Sequence, residues 1–252
     1  MENYSEFAVN YIKKKSFDII HAHDWLTIGT GLNLKNILKK PLVMHIHSLE
    51  TDRNGEESRG HIYELEKQGM KSADLIIAVS HYTKNKIIDH YKINPEKIEV
   101  AHNGNNFRKT SFTKTKKSTV TVGFIGRLTQ QKGPDIFLKI AEKVLDKNKN
   151  IQFIVTGVGE KLEKLIKQTS ENYMGDKIHF TGFINPTTMK KLMKKIDLYC
   201  MPSVSEPFGL TAVEAASCNI PCLISKQSGV KEVLKNSITF DFWDINKAAG
   251  II

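Results

Sequence analysis

The sequence predicts an α/β protein made of two parallel-sheet units, and three observations carry that prediction. Short Val/Ile-rich runs alternate with longer helical patterns from end to end, as in parallel strands joined by crossover helices. A polar tract opened by Gly and Asn separates the runs into two groups. The residues just after several runs carry Gly, His or charge, and open α/β sheets bind their ligands beyond the carboxyl ends of the strands.

In chain order, a helical pattern over residues 4–15 precedes strand patterns at 17–23, 41–47, 74–80 and 97–102. Asn103-Gly104-Asn105-Asn106-Phe107-Arg108-Lys109-Thr110 then leads into a Lys/Ser/Thr tract ending at Thr119. Such low-hydrophobicity sequence reads as a linker, which divides the chain into 1–104, a linker 105–119, and 120–252. The second group of strands reads 120–125, 151–156, 177–181, 197–201 and 221–225, with a short one at 238–240. Two Rossmann-like units facing a cleft are expected.

Composition bounds the function classes. At 252 residues and 40% hydrophobic content the chain can bury a core in one large or two small domains. No run has the apolar length of a membrane span, and Met1-Glu2-Asn3-Tyr4-Ser5-Glu6 lacks the basic-then-apolar order of a secretion signal; a cytoplasmic chain is expected. Cys200, Cys218 and Cys222 match no zinc or redox spacing and read as core fillers. The charge of +10 is mostly lysine, which reads first as a solvated face and leaves peripheral contact with an anionic membrane open. Arginines interleaved with aromatics, which nucleic-acid binding would need, are not evident.

The most informative segment is Ser205-Glu206-Pro207-Phe208-Gly209-Leu210-Thr211-Ala212-Val213-Glu214. Pro207 holds Glu206 in an extended or turn geometry, and a helix is predicted to start near Phe208. Its first amides, from Gly209, Leu210 and Thr211, would then offer an anion seat between two carboxylates, an arrangement suited to a nucleotide-sugar. After the strand at 120–125, Gly126-Arg127 and Lys132-Gly133 bring two cations that could neutralise a diphosphate, with no carboxylate cluster to hold a metal; a merely solvated loop is an equal reading of that spacing. Gly157-Val158-Gly159 and Gly182-Phe183-Ile184 follow the next two strands. Each is consistent with close backbone approach to a ligand and equally with a tight turn. In the first half, His21-Ala22-His23-Asp24-Trp25 and Met44-His45-Ile46-His47-Ser48-Leu49-Glu50 end two strands. Alternation puts His45 and His47 on one face. For any one of these histidines a buried ring bonded to backbone is the ordinary reading; the two strand ends flanked by Asp24 and Glu50 read together as a polar floor, and the spacing along the chain is not that of a zinc site.

Taken in order, these motifs with Ala78-Val79-Ser80 and His102-Asn103-Gly104 resemble the retaining glycosyltransferases of family 4, the glycogen-synthase-like group with the GT-B architecture. The resemblance covers essentially the whole chain. It implies that Arg127 and Lys132 hold the diphosphate and stabilise its departure, that Glu206 hydrogen-bonds the donor sugar, and that His47 touches that sugar beside the reacting carbon. It further implies that Gly209, Leu210 and Thr211 donate amides to phosphate and that Glu214 grips the ribose. Gly126, Gly157 and Val158 would complete the donor side, with Gly182, Phe183 and Phe208, while His23, Asp24 and Ser48 would lie toward the acceptor. The family needs no metal or other cofactor, its substrate being a nucleoside diphosphate sugar and its acceptor a saccharide or lipid-linked molecule.

Relative to that family the chain is expected to be truncated at both ends, with an incomplete N-terminal domain and a C-terminal domain lacking its last helices. A non-catalytic nucleotide-sugar-binding module needing a partner chain is therefore the alternative, and a basic nucleic-acid-binding α/β protein a remote one.

Overall fold

The computed structural model describes residues 2–12, 15–105 and 119–252. It separates into two compact units, residues 1–103 and 104–252. Most of the expected linker, residues 106–118, falls outside the described residues.

The first unit runs α1 (Glu2–Ile12), β1 (Ile20–His23), α2 (Asp24–Leu38), β2 (Leu42–Ile46), α3 (Glu50–Arg53), α4 (His61–Ser72), β3 (Leu75–Ala78), α5 (His81–Tyr91) and β4 (Ile98–Val100). Its four strands pair in parallel in the order β1-β2-β3-β4. Each is shorter than its Val/Ile run, because only the residues in register with a neighbour join the ladder. The run at 17–23, for example, begins to pair only at Ile20, whose N–H donates to Pro41 O at 2.9 Å. The expected helix at 4–15 ends at Ile12, and residues 13 and 14 lie outside the described residues. Ile20, Ala22, Leu42, Met44 and Ile46 turn to one side and are buried with residues of α2, α4 and α5. Intervening His21, His23, His45 and His47 therefore project from the other face.

The second unit runs β5 (Val120–Ile125), α6 (Pro134–Lys147), β6 (Ile151–Thr156), α7 (Leu162–Glu171), β7 (Ile178–Gly182), α8 (Pro186–Met193), β8 (Leu198–Met201), α9 (Leu210–Ser217), β9 (Cys222–Ser225), β10 (Ile238–Phe240) and α10 (Ile245–Ile251). Its six strands are all parallel, in the order β10-β9-β8-β5-β6-β7. Alternation along the strands builds two cores. Val122, Phe124, Phe153 and Cys200 meet α6, α7 and α10 on one face. Ile125, Ile154, Tyr199 and Cys222 meet α8 and α9 on the other. All three cysteines are buried and unbridged, and burial pushes the Cys222 thiol up to about 12, so they fill the core as expected. No helix among the described residues is long and apolar enough to cross a membrane.

Candidate functional site

In the second sheet the order reverses between β5 and β8: β6 and β7 lie to one side of β5, β9 and β10 to the other side of β8. Loops leaving the carboxyl ends of such a pair diverge and open a crevice. The loop after β5 carries Gly126, Arg127 and Lys132, and the loop after β8 carries Ser203 to Gly209. Topology thus brings together two segments separated by 74 positions, and Lys132 Nζ lies 2.6 Å from Glu206 Oε2. Glu206 is 5% exposed, and Ser203 Oγ donates to the same carboxylate oxygen at 3.2 Å. Its backbone is fixed as well, donating to Gln227 O and accepting from Gly229 N, both at 2.9 Å. Arg127 is exposed, with one long contact from Nη2 to Gln131 Oε1 at 3.4 Å.

The glycines of these loops have partners inside the protein. Gly157 has φ +134°, and a Cβ there would stand 1.9 Å from Gly126 O; a Cβ on Gly159 would stand 2.5 Å from Leu128 O, and one on Gly133, at φ +68°, 2.2 Å from Pro202 O. Close approach between loops accounts for these three positions. Gly182, at φ +67°, has open space where a Cβ would be. The neighbouring Phe183 side chain is 78% exposed, and Val158 is 48% exposed.

The helix expected near Phe208 begins at Leu210, because Gly209 caps it with φ +108°, a left-handed conformation outside the helix. The first intrahelical donors are Ala212 and Val213, both to Gly209 O, so the amides of Gly209, Leu210 and Thr211 form its N-terminal end. The side chain of Phe208, expected on the donor side, is instead buried, at 3% exposure. Glu214 lies one turn into α9, half-buried, and that burial raises its carboxyl pKa.

In the first unit, Asp24 opens α2 at φ +54°. Its Oδ1 accepts from the backbone N–H of His47 at 2.7 Å and of Ser48 at 3.3 Å, which makes it a clamp between the ends of β1 and β2. The Ser48 hydroxyl is buried with no partner among the described residues. Below the loop, Glu66 receives Arg53 Nη2 at 2.7 Å, the Glu50 amide at 2.9 Å and Tyr91 OH at 2.5 Å. Asp52 pairs with buried Lys86 at 2.9 Å. None of these partners was visible as spacing along the chain. The four histidines form a ladder, with rings of His21 and His23 4.5 Å apart and of His45 and His47 4.2 Å apart, and His23 Nδ1 lies 3.0 Å from His47 Nε2. Burial, and then the neighbouring imidazoles, push His45 down to about 4. His21 is lowered for the same reasons, and His47 by burial against the opposing pull of Asp24.

Sequence profiles match both halves: the profile for glycosyl transferases group 1 over residues 106–242 and that for Glycosyltransferase Family 4 over residues 4–108. An uncharacterized glycosyltransferase of Methanocaldococcus jannaschii is 31% identical over 241 residues, 88% of this chain and 61% of that protein. A D-inositol 3-phosphate glycosyltransferase of Corynebacterium diphtheriae is 26% identical, over 85% of this chain and 56% of its own length. The chain thus spans about three fifths or less of these curated relatives. Among solved structures, Anabaena HepE in complex with UDP superposes with a TM-score of 0.79 at 24% identity, covering 93% of this chain and 68% of HepE. Sucrose-phosphate synthase of Thermosynechococcus elongatus gives 0.84 at 19% identity, covering 98% and 66%. These likenesses establish the GT-B type of fold.

Three outcomes follow from the geometry. Lys132→Ala leaves Glu206 buried without its cation and lowers the unfolding free energy of the second unit by about 3 kcal/mol, read from denaturant melts; adding Glu206→Gln restores much of it. Gly157→Ala, which drives a Cβ into the Gly126 carbonyl, costs at least about 2 kcal/mol in the same measurement. For His45, the unfolded imidazole titrates near 6.5 and the folded one near 4, so between those values the unfolded state holds more protons. Stability of the first unit therefore falls as pH drops from 6.5 to 4, and urea midpoints across that window are flatter in His45→Leu.

Proposed function

The chain belongs to the glycosyl transferases group 1 family, and on that premise we propose that it moves a hexose from a nucleoside diphosphate sugar to a saccharide or lipid-linked acceptor with retention of anomeric configuration. The observation that carries this reading is the Lys132–Glu206 pair, 2.6 Å apart at the switch point of the second sheet, with Arg127 on the Lys132 loop. A diphosphate would compete with Glu206 for the Lys132 ammonium and take the Arg127 fork, while the Gly209, Leu210 and Thr211 amides would receive phosphate oxygens. That competition would leave Glu206 to accept a hydrogen bond from a sugar hydroxyl, and Glu214 one from the ribose. Val158, Gly182 and Phe183 would flank the base.

Catalysis in this scheme rests on position and charge. As the anomeric carbon–oxygen bond breaks, Arg127 and Lys132 would take up the negative charge growing on the leaving diphosphate, without a metal. The acceptor hydroxyl would attack from the face the diphosphate leaves and pass its proton to the departing phosphate oxygen, so the configuration is kept. The Anabaena neighbour was solved with UDP and with UDP-glucose, which supports a donor of this chemical class here. The lysine-rich surface suits acceptors held at an anionic membrane.

Titration calorimetry with UDP-glucose, GDP-mannose and ADP-glucose tests the donor site. At least one is expected to bind, and Arg127→Ala to weaken it roughly ten- to hundredfold at an unchanged melting temperature, since Arg127 is exposed. Failure of all three donors to bind the folded chain overturns the reading.

A further inference from the structure

We propose that the histidine ladder of the first unit is a site for a divalent transition-metal ion of the imidazole-preferring kind, with His21, His23 and His45 as ligands and Zn²⁺ as its representative. The inference does not use the Lys132–Glu206 pair, but it involves His23 and His47, which the family resemblance places toward the acceptor and the donor sugar.

The site follows from strand register. His21 and His23 alternate onto one face of β1, and the parallel pairing sets His23 directly opposite His45. One ring nitrogen from each of His21, His23 and His45 lies within 4.8 Å of the others, and among the described residues this is the one such group of three metal-ligating side chains. A tetrahedral zinc with Zn–N of about 2.0–2.1 Å asks for nitrogens roughly 3.4 Å apart. His21 and His23 are both exposed, so small side-chain rotations that keep the His23–His47 contact can close the difference, and solvent can supply the fourth ligand.

Two further observations point to a metal. His45 Nε2 is buried and meets no hydrogen-bond partner among the described residues. An orphaned buried ring nitrogen is costly, and coordination would satisfy it. His23 Nδ1 meets His47 Nε2 at 3.0 Å; with His23 as donor its Nε2 lone pair is free to ligate, the orienting contact that metal-bound histidines need from an outer neighbour. Imidazole nitrogens select zinc, copper or nickel over the oxygen-preferring magnesium and calcium, so the site is distinct in chemistry from a phosphate-bridging metal.

The test titrates Zn²⁺ into the untagged, chelator-stripped full chain by calorimetry, with Co²⁺ absorption as a second probe of tetrahedral nitrogen coordination. One equivalent is expected to bind saturably. His21→Ala, an exposed position, is expected to keep the melting temperature of the stripped chain and weaken Zn²⁺ by at least about 100-fold, and His23→Ala is the second variant should the first not fold. His179→Ala, at an exposed position of β7 in the other unit, leaves binding unchanged. Absence of saturable binding, binding undiminished in both ladder variants, or loss of binding in His179→Ala overturns the proposal.

Discussion

The contact on which the second unit's chemistry depends is the ion pair between Lys132 and Glu206. A lysine and a glutamate on two loops could each face solvent at little cost. Here the glutamate is 5% exposed, so its charge is tolerable only because the ammonium stands 2.6 Å away and Ser203 donates a hydrogen bond. The pair exists because β5 and β8 are neighbours although three helices and two strands separate them in sequence. It joins the loop that bears the cations to the loop that feeds α9.

That joint needs the loops closer than side chains allow, and the glycines supply the distance. Gly133 lies against the Pro202 carbonyl and Gly157 against that of Gly126, each with positive φ. Backbone meets backbone at both contacts, the first between the loops after β5 and β8 and the second between the loops after β5 and β6. The two cores beneath, one on each face of the sheet, make the frame stiff enough to hold charges at short range.

The first unit solves a different problem with a similar device. Asp24, in a left-handed conformation that aspartate tolerates better than most residues, ties the end of β1 to the start of the loop after β2. Glu66, Arg53 and Tyr91 hold that loop from below. The consequence is a ladder of imidazoles in which burial and the neighbouring rings lower the proton affinity of His21, His45 and His47, since protonating two adjacent rings would set like charges about 5 Å apart.

Much of this was legible in the chain. Alternating Val/Ile runs and helical patterns fixed the α/β class and the number of strands, and residue chemistry marked Arg127, Lys132, Glu206 and Glu214, because charges and glycines after strands are where such sheets bind ligands. Strand ends were not legible, since a ladder stops where its neighbour stops. Nor was the helix start: Gly209 delays it by taking a conformation that composition does not reveal. Tertiary structure alone decided which residues meet. It paired Lys132 with Glu206, buried Phe208, gave Gly157 and Gly159 backbone partners, and set His23 opposite His45. The reason is that side-chain alternation is local to a strand, whereas strand order and register are settled by packing between segments far apart in sequence.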